Sequence, residues 1–169
     1  MTAPIRLLGP AIDPTPARPP GPAKLIGRYG TVERLGTSRH GPDLWEALQG
    51  NDDIWTYLPV GPFKDRKAFA QWLAGIEQSE DPYFYAILDA EGRARGLAAL
   101  MAIRPEMRVI EVGHIVYSAA LQRTPLATEA QYLLARYAFE TLGYRRYEWK
   151  CNALNEPSFR AALRPLTIM

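Results

Sequence analysis

The chain reads as an α/β fold built on one mixed sheet, an antiparallel meander joined by a helical crossover to one parallel strand, with helices on its faces. Three observations predict this. Strand-like runs at 83–88, 95–104 and 107–118 follow one another with only short connections, which makes a meander. The strongest helical pattern, 125–143, lies between the last of these runs and another strand-like run at 146–152. That spacing has the length of a βαβ crossover and makes the two flanking strands parallel.

The elements follow in order. Residues 1–23 hold seven of the fifteen prolines, including Pro19-Pro20-Gly21-Pro22. Proline removes backbone donors and fixes φ, so this stretch is expected to be an extended or mobile arm, with one domain over 24–169. Residues 27–35 alternate well enough for a first strand. Leu44, Trp45 and Leu48 recur at helical spacing within 40–50, and Phe69, Trp72, Leu73 and Ile76 make one stripe within 63–79. Asp89-Ala90-Glu91-Gly92 supplies a hairpin turn. In 125–143, Leu126, Ala130, Leu133, Leu134, Tyr137 and Leu142 form the apolar face, and Gly143 stops the helix. A last helix spans 157–163, with Asn155 or Glu156 near its cap, and Pro165 ends it.

Composition bounds the class. A chain of 169 residues with 47% hydrophobic and 22% charged residues is one ordinary globular domain. The formal charge of +2 is too small to argue for nucleic acid or a membrane surface. No apolar run has membrane-spanning length, and cytoplasmic residence is the default expectation. The single cysteine, Cys151, excludes an internal disulfide, has no zinc-type spacing around it, and reads as a small core residue. No metal is expected.

The chemistry concentrates in 111–130. A largely apolar strand delivers the chain to a helix start, with Thr124 as N-cap and Pro125 as first helical residue. Orphan N–H groups and the positive end of the dipole make such a junction an anion site. Pro125 offers no N–H, while Arg123, Thr124, Leu126, Ala127 and Thr128 keep theirs. Glu111 is a carboxylate in the middle of a buried strand, which fits either a general base or a salt bridge, for example to Arg104 or Arg108. Regular alternation puts Glu111 on one face with Val109, Gly113, Ile115 and Tyr117, and His114 on the other with Ile110, Val112 and Val116. The two would then form no dyad, and His114 reads as a satisfied core histidine. Asn155 and Ser158 suit a helix cap.

The turn Gln122-Arg123-Thr124-Pro125-Leu126-Ala127 and the block Tyr144-Arg145-Arg146-Tyr147-Glu148-Trp149-Lys150-Cys151-Asn152-Ala153-Leu154-Asn155-Glu156-Pro157-Ser158 resemble the GNAT superfamily of acetyl-CoA-dependent N-acetyltransferases, in particular its RimJ/RimL-like branch. The resemblance spans roughly residues 28–163. Gln122 takes the first place and Ala127 the last in the family's pyrophosphate turn, with Pro125 where a glycine is usual.

The resemblance implies acetyl-CoA as acetyl donor, with its pyrophosphate at Gln122, Arg123, Thr124, Leu126, Ala127 and Thr128. The backbones of Ile115, Val116 and Tyr117 would lie beside the pantetheine and thioester, and Asn155 would bond the pantetheine amides. Glu111 would be the base and Ser158 the acid that protonates the departing thiolate. Trp55 and Tyr57 stand in the loop that borders the acceptor cleft, where they either line it or cap the core. The expected reaction is direct attack by a primary amine, on a small molecule or a protein N-terminus. The alternative is a non-catalytic CoA-binding or scaffold protein.

The family arrangement next supplies two strands, whereas this sequence ends at Met169, so truncation is expected. The strand at 146–152 would then be an open edge that invites pairing with a second copy, which makes a homodimer or aggregation and weak transfer further expectations.

Overall fold

The structure is a computed structural model, and it describes Gly9, Ala11 and residues 13–164. The expectations for 1–8, 10 and 12 of the proline-rich arm, and for 165–169, fall outside the described residues.

Six strands form one sheet: β1 (Lys24–Ile26), β2 (Thr31–Arg34), β3 (Tyr83–Leu88), β4 (Ala94–Arg104), β5 (Val109–Tyr117) and β6 (Arg146–Trp149), in spatial order β1-β2-β3-β4-β5-β6. All neighbours pair antiparallel except β5 and β6, which are parallel. Helices α1 (Thr37–Leu48) and α2 (Arg66–Glu77) precede the meander, α3 (Pro125–Arg136) makes the crossover, and α4 (Glu156–Leu163) follows β6. The class, the meander and the parallel crossover are as the sequence predicts.

Both faces of the sheet are buried. On one face Val32, Tyr85, Ile87, Leu100, Ile110 and Val112 pack with Leu126, Ala130, Leu133 and Leu134 of α3. On the other, Phe84, Ala86, Leu88, Leu97, Ala99 and Val116 pack with Leu44 and Leu48 of α1 and Phe69 and Leu73 of α2. This two-sided burial explains the near-continuous apolar character of the central strands.

The expected strand 146–152 ends at Trp149, and two further expectations about elements need correction. The stretch 27–35 is not one strand but the turn and second arm of a hairpin. Gly27 N–H donates to the Gly30 carbonyl at 2.9 Å. The Glu129 carboxylate of α3 accepts from the N–H groups of Arg28 (2.6 Å) and Tyr29 (2.8 Å) and so holds the turn. Gly30 is required there, because a Cβ would lie 2.1 Å from the Leu88 carbonyl oxygen. The predicted helix 125–143 is α-helical only to Arg136, and Tyr137–Leu142 continues as a π-turn. Gly143, at φ +84, then reverses the chain toward β6.

The described part of the proline-rich stretch runs extended against the body. Ala17 N–H donates to the Pro105 carbonyl at 3.1 Å and Arg18 N–H to the Leu142 carbonyl at 2.8 Å. Ala17 is buried.

One buried polar contact ties α1 to the sheet. His40 Nδ1 accepts from Gly36 N–H at 3.0 Å, so Nε2 carries the proton and donates to Glu33 Oε1 at 3.0 Å. Burial pushes the His40 pKa down, consistent with a neutral ring. His40→Ala should destabilise the fold by about 1–3 kcal/mol, because it strands buried hydrogen-bonding groups. Urea denaturation of both proteins is the check.

Candidate active site

The site begins where β5 and β6 part. Their parallel pairing runs from Val109↔Arg146 to Val112↔Trp149 and stops. Beyond it β5 continues to Tyr117 paired only with β4. Residues 113–117 therefore present alternate backbone groups to a gap where β6 has turned away. The gap is part of a cleft of about 920 Å³ that runs from the start of α3 to α4. It is lined by Glu111, His114, Ile115, Tyr117, Gln122, Arg123, Ala127, Thr128, Asn155 and Ser158 among others, so most of the predicted site residues converge on it.

β5 is irregular at this point. Leu97 pairs with Val116 and Ala99 with Gly113, so two residues of β5, His114 and Ile115, oppose Ala98 alone. His114 takes a left-handed conformation at φ +47 to make the bulge. The bulge reverses the alternation. Ile110 and Val112 face α3 before it, Ile115 and Tyr117 face α3 after it, and Val116 joins the opposite core. The regular-strand expectation is thus wrong: Glu111 does not share a face with Ile115 and Tyr117. His114 lies on the face away from α3 with Glu111, its ring centroid 5.3 Å from that of Phe84.

Glu111 is 7% exposed and is ion-paired, but with neither Arg104 nor Arg108. Its partner is Lys150, just past β6, which also meets Glu148 at 3.0 Å. Those carboxylates hold the Lys150 ammonium above its ordinary range, Glu111 most strongly. The sequence pattern does not single out Lys150, which falls inside the expected strand 146–152 with no partner in view. Burial pushes the His114 pKa below the ordinary value of 6.5, and the charge of Glu111 opposes that shift.

The start of α3 is built as expected, with one change in its donors. Thr124 Oγ1 accepts from Ala127 N–H at 3.2 Å and donates to the Leu121 carbonyl at 2.7 Å. The cap thus engages the Ala127 N–H, and Thr124 N–H reaches the Leu121 carbonyl at 3.4 Å. Among the described residues no turn or cap bond takes the N–H of Arg123 or Leu126. Arg123 sits at φ +62, the left-handed backbone that turns the chain into the helix. The Gln122 side chain donates to the Tyr117 carbonyl at 3.1 Å. Tyr117 itself donates to the Ala127 carbonyl at 3.1 Å and accepts from Gln131, and burial raises its pKa. Gln131 lines the cleft with its Oε1 buried and without a hydrogen-bond partner among the described residues.

At the other wall Asn155 caps α4, its Oδ1 accepting from Ser158 N–H at 3.2 Å. Ser158 Oγ accepts from the Trp149 indole N–H at 2.9 Å, which leaves the hydroxyl proton for another acceptor. Trp149 as an anchor was also missed, since its alternation on a short strand reads as core. Tyr57 lines the cleft and donates to the Leu154 carbonyl at 3.0 Å, bridging the α1–α2 loop to the β6–α4 loop. Trp55 does not reach the cleft. It is 5% exposed and packs edge-on against Phe63 and Trp72 beside a cavity of about 10 Å³, so it caps the core. Cys151 lies beyond the end of β6 and is exposed, not a core residue.

Among the described residues no cluster of His, Cys, Asp or Glu is placed to hold a metal, and no helix is long and apolar enough to cross a membrane. The Glu111–Lys150 pair makes a test of the site's electrostatics. Lys150→Met should lower the melting temperature by leaving a buried carboxylate without its cation. Adding Glu111→Gln should restore most of the loss, and thermal melts of the four proteins of this cycle measure it.

Comparison with known proteins agrees with this geometry. The family model for the acetyltransferase (GNAT) domain matches residues 32–164. A GCN5-related N-acetyltransferase from Brucella melitensis is 41% identical with a TM-score of 0.85, covering 88% of this chain and 69% of that one. A probable acetyltransferase of the GNAT family from Chromobacterium violaceum ATCC 12472 is 37% identical with a TM-score of 0.85, covering 96% and 83%. At 15% identity and a TM-score of 0.65, the fold is shared with spermidine N-acetyltransferase from Vibrio cholerae in complex with CoA and spermine, over 82% and 80%. No curated protein sequence matches the chain. With its matched domain, its splayed parallel strands and its capped crossover helix, the chain belongs to the GNAT acetyltransferase family.

Proposed function

We propose that the cleft transfers acetyl from acetyl-CoA to a primary amine by direct attack, in the manner of the RimJ/RimL-like branch. The observation that carries this reading is the gap between β5 and β6, which joins the start of α3 to Glu111 and Ser158 in one continuous space. The residues fit the donor. Gln122, Arg123, Ala127 and Thr128 line the cleft at the start of α3, and with the Thr124 cap and the Arg123 and Leu126 N–H groups behind them they offer a positive turn for the pyrophosphate. Gln131 offers an unpaired buried acceptor to an amide of the pantetheine arm, and Asn155 offers its side chain at the far wall. The backbones of Ile115, Val116 and Tyr117 flank the gap where the thioester would lie; Val116 is in bonding register with Leu97 of β4, so alternation leaves the Ile115 and Tyr117 N–H groups to hold the oxyanion as the carbonyl is attacked.

Glu111 and Ser158 steer protons in this reading. Glu111 is the carboxylate toward which the amine's proton is drawn. Ser158, with its lone pair committed to Trp149, turns its proton to the departing thiolate. Tyr57, at the mouth, borders the acceptor. The acceptor is a small amine or a protein N-terminus.

Calorimetry with CoA tests the binding half of the proposal. Micromolar binding by the native chain is expected, and Ala127→Glu should abolish it by filling the turn and repelling phosphate. Unchanged affinity in a folded Ala127→Glu protein would contradict the site. Glu111→Gln should lower acetyl transfer with little change in CoA affinity, because the carboxylate that draws the amine's proton is lost. Thiol release over a panel of amines and serine-starting peptides measures it.

A further inference from the structure

We infer that the proton leaving the acceptor amine is taken by His114, acting as a pair with Glu111 that the β5 bulge creates. This rests on the acetyl-transfer reading above. A regular strand would turn His114 toward α3, away from Glu111. The extra residue at 114–115 keeps it on the Glu111 face instead, and both residues line the cleft. A left-handed backbone at a non-glycine residue is costly, and here it serves to aim one imidazole.

Glu111 is poorly suited to hold the proton itself. Its Oε2 already accepts from the Lys150 ammonium. His114 has no hydrogen-bond partner among the described side chains, so its ring nitrogens are open to the cleft. Burial keeps the imidazole neutral at physiological pH, the form that accepts a proton. The charged and titratable groups facing it are few. Glu111 is on its own strand, with Lys150 beyond Glu111, and Asp53 and Tyr57 reach the cleft from the α1–α2 loop. Phe84 of β3 and Met101 of β4 are uncharged, and Glu111 is the charge that acts on His114.

The step balances without another reactant. The neutral amine attacks the thioester carbon, the C–N bond forms, and the carbonyl electrons move to oxygen. His114 takes the proton from nitrogen, and Glu111 stabilises the imidazolium. The C–S bond then breaks, and the thiolate takes the Ser158 proton. His114 loses its proton to solvent and Ser158 regains one.

The chain has two histidines, and His40 is buried and bonded at both ring nitrogens, so His114 can be followed alone. The experiment combines imidazole NMR titration, diethyl pyrocarbonate labelling and rate profiles on the native chain, Glu111→Gln and His114→Gln. One histidine should be carbethoxylated, and CoA should protect it. The His114 titration should lie below 6.5 in the native chain and move lower still in Glu111→Gln, because the carboxylate that supports the imidazolium is gone. With spermidine, n-butylamine and a serine-starting peptide supplied together, thiol release should rise with pH through that titration. Glu111→Gln should shift this limb to lower pH, and His114→Gln should remove it, with a loss of about 10²-fold or more and CoA affinity retained.

A His114 titration unmoved by Glu111→Gln, or labelling that CoA does not prevent in a chain that binds CoA, overturns the pair. So does a His114→Gln protein with the native rate and limb. Failure of the native chain to bind CoA overturns the acetyl-transfer reading instead.

Discussion

Everything at this site depends on the parallel ladder between β5 and β6 ending after Val112↔Trp149. A sheet that stayed paired would satisfy the backbone of 113–117 and leave no room between the strands. By parting, β5 keeps its outer groups for a ligand, and β6 swings away to place Trp149, Lys150, Asn155 and Ser158 on the opposite wall. The crossover helix closes the same gap from one end. Its cap and its neighbouring turn are held by Thr124, Gln122 and Tyr117, so the helix start is bonded directly to the end of β5.

The second constraint is electrostatic. Glu111 is buried next to the gap, and a buried carboxylate persists only with a partner. Lys150 supplies the partner from across the parting strands. The same ammonium binds Glu148, whose carboxyl is held below the usual carboxylate range chiefly by that bond. The pair therefore bridges β5 and the end of β6 at the point where backbone hydrogen bonding has stopped. It ties the two walls of the gap together there.

Much of this was legible in the sequence. Apolar runs and a long amphipathic stretch dictated the meander and crossover, and Thr124-Pro125 marked the helix start at the residue where it occurs. The convergence of Gln122, Ala127, Asn155 and Ser158 followed from where those elements end. What stayed hidden has a common cause: departures from regular periodicity. The bulge at His114 inverts the faces of β5, and its one hint in the sequence is Gly113, a glycine inside a strand. The turn at 27–30 keeps an alternating pattern although Glu129, from another element, sets it. Lys150 gains its meaning only from Glu111, thirty-nine residues away in sequence. Trp55 and Tyr57 are two residues apart, yet one enters the aromatic core and the other reaches the cleft, a division fixed by loop geometry.

The central claim is that the gap between β5 and β6 and the start of α3 form one binding surface. Amide hydrogen exchange with and without CoA tests it most directly. The account predicts that CoA slows exchange together at 113–117 and 122–128, with little change in β1–β3. Protection confined to either segment alone, or spread evenly over the sheet, would contradict it.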